Sequence, residues 1–262
     1  MWFGGGADGV ARMYDRRRAE KSSVCGRRSG HGSVSSAARN PRARSPRLRH
    51  AVPVYESHMT VLCEGDELRR LERWAALRPD VKFTHIALAR GRAASQPMLT
   101  LRGSRPSYED ELAAVRETGA ALAGDGFAVA RVKVECAPWA VEVPRDDADA
   151  VGEGHPHGRR HFEHHVKLLL EENDGDRAGL VAVAVRHGAH VSWNARRVRA
   201  DGREERFVTQ RCHRTGDRRA ALALDALLAE LAAHAYEVVD VEREYVLLDS
   251  GPELDEGWLE AI

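Results

Sequence analysis

The sequence predicts an α+β fold made by tandem duplication of one β-α-β-β-α-β unit, and three observations carry that reading. Apolar and polar residues alternate at period two in eight stretches, and apolar residues recur at helical spacing in four stretches between them. These strands and helices come in the same order in both halves of the chain. Short strings also register at a nearly constant offset: 107 for His58 to Leu62 over His165 to Leu169, 108 for Phe83-Thr84 over Val191-Ser192, and 109 for both Thr100-Leu101-Arg102 over Thr209-Gln210-Arg211 and Val132 to Glu135 over Val241 to Glu244. An offset that drifts by two residues over four strands points to a copied unit. Its element order is the ferredoxin-like split βαβ, with the two copies expected to be related by a pseudo-twofold axis.

Residues 1–56 are rich in Gly, Ser and Arg with little apolar periodicity, so they bury too little surface to offset their ordering entropy and are expected to be a disordered tail. Residues 1–50 hold twelve Arg or Lys against three acids, a bias shared by organellar transit peptides and by loose nucleic-acid binders. In the first half, 57–139, strands are predicted at 58–62, 81–89, 96–102 and 129–136. Helices fall over 66–77, with Leu68, Leu71, Trp74 and Ala75 on one face, and from the Ser107 N-cap to Gly126. Residues 140–160 carry Pro, Asp and Gly without a period and read as a connecting loop. In the second half, 161–262, strands are predicted at 162–170, 189–197, 206–213 and 237–248, with helices over 176–187 and from the Asp217 N-cap through Leu224, Leu227, Leu228 and Leu231.

No run approaches the ~18 apolar residues that cross a bilayer, so a soluble, cytoplasmic chain without a membrane partner is expected. The four cysteines are far apart and lack a Cys-x-x-Cys spacing, which argues against both a disulfide framework and a thiolate zinc site. Only four of the forty basic residues are lysines, and Lys82, Lys133 and Lys167 all fall in predicted strands, where a compact ammonium differs in kind from a guanidinium.

The candidate site follows from the alternation. In Phe162 to Leu170 one face is Phe162, His164, Val166, Leu168 and Leu170, and the other begins Glu163, His165, Lys167, a row of acid, imidazole and ammonium. The matched positions of the two halves put a His on the first strand, a hydroxyl on the second, Thr-x-Arg on the third and Glu on the fourth, all on the face away from the helices. The polar faces are expected to meet across a cleft or to join into one concave sheet. The catalytic candidates are His58, His165, Lys167 and Glu244; the ligand-binding candidates are Lys133, Arg102, Arg211, Thr100, Thr209, Ser192 and Glu135. Arg and Lys neutralise phosphate or carboxylate oxygens and hydroxyls add neutral hydrogen bonds, so an anionic small molecule or nucleotide is the expected ligand. The competing reading is a solvated sheet face whose charges pair across strands.

His155, His157, His161, His164 and His165 crowd eleven residues, and imidazoles with carboxylates suit zinc, manganese or iron. Their spacing matches no known ligand set, so no metal ligand is assigned; a divalent metal stays compatible with Glu135 and Glu244, and no other cofactor is called for. His164, on the apolar side, is expected to be a satisfied core histidine. Gly4-Gly5-Gly6 follows no strand and is no dinucleotide loop, and Phe207 is the one clear aromatic on the polar faces, too few for a base-stacking RNA module.

Two resemblances add to this. His58-Met59-Thr60 and His190-Val191-Ser192 resemble the paired His-x-(Ser/Thr) motifs of the two-histidine phosphoesterases, which implies one His as general base and the other as general acid on a phosphodiester. The first motif lies on strand one of its half and the second on strand two, so the internal repeat relates His58 to His165 instead. Ser95-Gln96-Pro97-Met98, Phe162-Glu163-His164-His165-Val166-Lys167-Leu168, Arg206-Phe207-Val208-Thr209 and Val241-Glu242-Arg243-Glu244-Tyr245 are similar to an uncharacterised group of bacterial proteins with this duplicated unit, over most of residues 57–259. Some members are joined to nucleotidyltransferase-like segments, which implies a nucleotide or RNA setting and, as the chain stops near Trp258, a partner acting in trans. The expected function is a phosphoesterase or nucleotidyl-processing domain acting on a phosphate-bearing small molecule or nucleic-acid end. The alternative is a non-catalytic binding module for an anionic ligand or a partner protein.

Overall fold

The computed structural model describes residues 54–89, 91–103, 105–151, 160–171, 177–196 and 199–257; most of the predicted basic tail, His155 and His157 lie outside the described residues. Eight strands form: β1 (Tyr55–Val61), β2 (Val81–Leu88), β3 (Ser95–Leu101), β4 (Val129–Cys136), β5 (His161–Leu170), β6 (Ala189–Asn194), β7 (Glu204–His213) and β8 (Glu237–Asp249). The helices are α1 (Gly65–Ala76), α2 (Tyr108–Gly124), α3 (Asp147–Val151), α4 (Arg177–Arg186) and α5 (Asp217–Ala233), followed by a 3-10 turn at Pro252–Asp255. The periodicity therefore locates the strands and the main helices to within a few residues. The short α3 falls in the expected loop, and Gly216 rather than Asp217 is the N-cap of α5.

The predicted fold class needs correction. Two tandem ferredoxin-like sheets do not form; the strands close into one antiparallel barrel in the order β1-β3-β2-β6-β7-β5-β8-β4. One seam is β2 on β6, through Ile86↔Asn194, Ala87↔Trp193 and Leu88↔Ser192. The other is β4 on β8, from Lys133↔Asp249 to Cys136↔Tyr245. The physical reason is edge pairing. Two open sheets would leave four rows of bare N–H and C=O groups, and closure pairs the facing stretches of β2 with β6 and of β4 with β8. Strand β8 is long enough to serve both sides, pairing β5 through Glu237 to Val246 and β4 through Tyr245 to Asp249. Register shifts at Thr60/Val61, Val134/Glu135 and Lys167/Leu168 mark bulges that add curvature.

The apolar core lies outside the barrel wall. Met59, Val61, Leu99, Leu101 and Val134 pack against Leu71, Trp74, Val115 and Leu122 of α1 and α2. Val166, Leu168, Val191 and Val208 pack against Leu180, Val183, Leu224, Leu227 and Leu231 of α4 and α5. A third cluster, with Tyr55, Cys136, Phe162, Tyr245 and Leu247, lies where β1, β4, β5 and β8 meet. His164 belongs to the helix-covered face: it is fully buried, with Nδ1 3.0 Å from Gln210 Oε1. Because side chains alternate along each strand, the opposite polar rows point to the barrel axis, where an eight-stranded barrel has room for little more than side chains or one small ligand. Cys63, Cys136 and Cys212 are free thiols. No helix among the described residues is long and apolar enough to cross a membrane.

Candidate functional site

The inward rows make one connected polar centre, and it is buried rather than solvated. His58, Glu135 and Glu163 are each at most 2% exposed. At this depth an unpaired charge costs several kcal/mol, so the side chains must satisfy one another.

Two constellations of the same composition stand at repeat-equivalent positions. In the first, β1 is flanked by β3 and β4, with His58 opposite both Thr100 and Lys133. His58 Nδ1 lies 3.0 Å from Thr100 Oγ1, and Nε2 lies 3.0 Å from Glu135 Oε2. In the second, β5 is flanked by β7 and β8; His165 Nδ1 lies 2.9 Å from Thr209 Oγ1, and Nε2 lies 3.2 Å from Glu244 Oε2. Each imidazole is thus held between a hydroxyl and a carboxyl group, which fixes its orientation as a relay requires.

Their electrostatics differ. Burial alone would raise Glu135, but Lys133, whose Nζ is 2.6 Å from Oε1, and then the His58 hydrogen bond overcome it and hold the carboxyl down at about 2. Glu244 is buried among the carboxyls of Glu135, Glu242 and Glu56, and burial followed by that crowding drives it well above the carboxylate range. Burial and then Asp240 and Glu56 likewise push Glu242 up to about 8. Burial pulls His165 down to about 4 and His190 well below the usual imidazole value. At neutral pH the first constellation therefore holds a carboxylate, and the second an acid beside a neutral imidazole.

Between them runs a chain of ion pairs. Lys133 bridges Glu135 and Glu163. Glu163 Oε1 accepts from Arg211 Nε at 2.6 Å, and Arg211 Nη2 lies 2.7 Å from Asp255 Oδ2. Asp255 also accepts from Arg131 Nη1 at 2.9 Å, and Arg131 Nε donates to Asp249 at 2.8 Å. Burial would raise Glu163, yet Lys133 and then Arg211 hold it well below the ordinary carboxylate range. The 3-10 turn after β8 thus reaches the centre through Asp255.

Of the residues expected from the sequence, the barrel brings together His58, Thr100, Lys133, Glu135, His165, Thr209, Arg211 and Glu244. Lys167 lies farther along β5, paired with Glu205 at 3.1 Å. Ser192 is buried on β6, opposite Phe207. Arg102 is not part of the centre: it lies exposed beyond Leu101, where β3 ends. Sequence reasoning gave no role to Glu163, though alternation placed it in the inward row, and none to Arg131. Asp255 carries no sequence signal, since it lies past the last strand.

Glu135, His165 and Glu244 each offer a ligand atom, and these atoms lie within 4.8 Å of one another. One imidazole and two carboxylates form a donor set that fits a divalent transition cation.

No protein-family model matches the chain, and neither does any curated protein. Among solved structures it is similar to the small subunit of acetolactate synthase from Thermotoga maritima, at 13% identity and a TM-score of 0.25 over 74% of this chain and 94% of that one. It is likewise similar to a protein assigned as a chlorite dismutase, at 12% identity and a TM-score of 0.24 over 76% and 97% of the two chains. At such low structural overlap neither likeness bears on the fold or the activity of this chain.

Proposed function

We propose that the barrel interior is an acid–base centre acting on a phosphate-bearing small molecule or nucleic-acid end. The observation that carries this is the pair of His-Thr-carboxyl constellations whose carboxyl groups are driven to opposite protonation states. Titratable pairs pushed apart in this way divide the labour of acid and base. His58, backed by the ionised Glu135 at Nε2, is the base: the attacking hydroxyl gives its proton to the Thr100 hydroxyl, which passes its own to His58 Nδ1, and the carboxylate steadies the imidazolium that forms. The His165 and Glu244 pair, which carries a proton at neutral pH, is the donor to the leaving oxygen as its bond to phosphorus breaks. Lys133 and Arg211 already grip one carboxylate, Glu163, between them, and the same two cations suit phosphoryl oxygens. Thr100 and Thr209 hold the rings in place, and Lys167 and Ser192 line the same interior farther from the two histidines.

A second reading, a non-catalytic module that docks a partner such as a nucleotidyltransferase-like protein, is favoured by one observation: the interior cations Lys133, Arg211 and Lys167 are all engaged by the chain's own carboxylates. Turnover of linear and cyclic phosphodiesters by the wild-type chain and by His58→Gln and His165→Gln decides between them. The acid–base reading expects each variant to lose at least about 100-fold in kcat. Absence of wild-type turnover, with and without added divalent metal, leaves the binding module.

A further inference from the structure

We propose that Glu135, His165 and Glu244 form a divalent transition-metal site in which β4 of the first half and β5 and β8 of the second meet on one cation. The ligand atoms come from three strands. His165 Nε2 and Glu244 Oε2 are 3.2 Å apart, between the roughly 3.0 and 3.4 Å that separate neighbouring donors of an octahedral or tetrahedral ion with bonds of about 2.1 Å. Glu135 completes the group, its ligand atom lying within 4.8 Å of the other two. His165 is more than nine-tenths buried and turns Nε2 into this point, while its Nδ1 is oriented by Thr209, the outer contact a metal-binding imidazole needs.

A second observation is the pairing of like charges. Glu56 stands directly opposite Glu135 across β1 and β4, and Glu163 directly opposite Glu244 across β5 and β8. Direct cross-strand pairs of one sign are destabilising. Two such pairs flank the same point, and Glu242, opposite His165, adds a fifth carboxyl group. Lys133 serves Glu135 and Glu163, and Lys82 lies close to Glu56 and Glu242, whereas the ion pair of Glu244 is with His165. Carboxylates with an imidazole suit Mn2+, Fe2+ or Zn2+.

This inference rests on the acid–base reading only for its chemical role: a cation here would neutralise the leaving oxygen in place of a proton, with His58 remaining the base. Binding itself is tested separately. The full chain is titrated with Mn2+, bound metal being read by electron paramagnetic resonance and by the rise in melting temperature. The expected result is one Mn2+ per chain in the wild type and binding weakened by at least about 10-fold in both Glu244→Gln and His165→Gln. Glu205→Gln, which alters the Lys167 pair, should bind as wild type does. Adventitious binding by the loop histidines would survive Glu244→Gln unchanged, and that outcome overturns the site, as does absence of binding at millimolar Mn2+. The two ideas fail separately. Metal bound at these residues without phosphodiester turnover sinks the acid–base reading alone; turnover that persists under chelation, with no metal bound, sinks the metal site alone.

Discussion

The two His-Thr-carboxyl constellations are a comparison made inside one molecule. Both hold an imidazole between a threonine hydroxyl and a glutamate at close to 3 Å, yet Glu135 is held at about 2 while Glu244 is driven well above the carboxylate range. Geometry does not explain the difference; neighbours do. Lys133 stands two residues before Glu135 on the same inward row, and the corresponding place before Glu244 is held by Glu242. That exchange of an ammonium for a carboxyl adds to burial and to the nearby Glu135 in separating a base-like half from an acid-like half.

The most damaging way to break the comparison is to remove that ammonium. Lys133→Met leaves Glu135 and Glu163 buried without their shared cation, and stripping one partner from a buried ion pair costs ~3–5 kcal/mol. Urea unfolding at neutral pH should show that loss, and carbon NMR should show the Glu135 carboxyl moving up toward the behaviour of Glu244. An unchanged urea midpoint would mean that the ion-pair chain does not support the barrel.

A smaller effect sharpens the contrast through pH. At the helix-covered position where the first half has Ser57, hydrogen-bonded to Glu111, the second half has His164, which burial pulls down to about 4. The folded state holds this ring neutral while the unfolded chain protonates it near pH 6.5. Its contribution is therefore fully present above pH 6.5 and is lost as pH falls toward 4. From pH 7.5 to pH 5 the single group should cost about 2 kcal/mol. His164→Gln should show a drop smaller by that amount, read as urea midpoints at the two pH values; an equal drop in variant and wild type would refute the assignment.

The smallest effect concerns helix starts. Ser107 caps α2 by accepting the Asp110 N–H at 3.1 Å. The equivalent residue at α5 is Gly216, where a Cβ would come within 2.3 Å of the Asp146 backbone and where Asp147 of α3 accepts the Gly216 N–H instead. Ser107→Ala should lower stability by about 1 kcal/mol in thermal unfolding. No change would show that α2, like α5, does without a side-chain cap.

Much of this was legible in the chain. Alternation placed His58, Lys133, Glu135, His165 and Glu244 on inward rows because a strand can present its side chains in only two directions. Closure was not legible, since alternation says which face a residue takes and nothing about which edge its strand will find. The repeat misled at Arg102. Strand β7 runs ten residues and carries Arg211 within it, whereas β3 runs seven and stops one residue short of Arg102. Asp255 was out of reach for a different reason: a carboxylate in a short turn reaches Arg131 and Arg211 only because closure puts the end of β8 beside them.

The length of β8 has a consequence for how the molecule comes apart. Its thirteen residues are stitched to β5 at one end and to β4 at the other. Peeling this strand away would open the barrel on two flanks at once and let water reach the charged axis. The two halves are therefore expected to melt together, with secondary-structure and tryptophan signals following one transition.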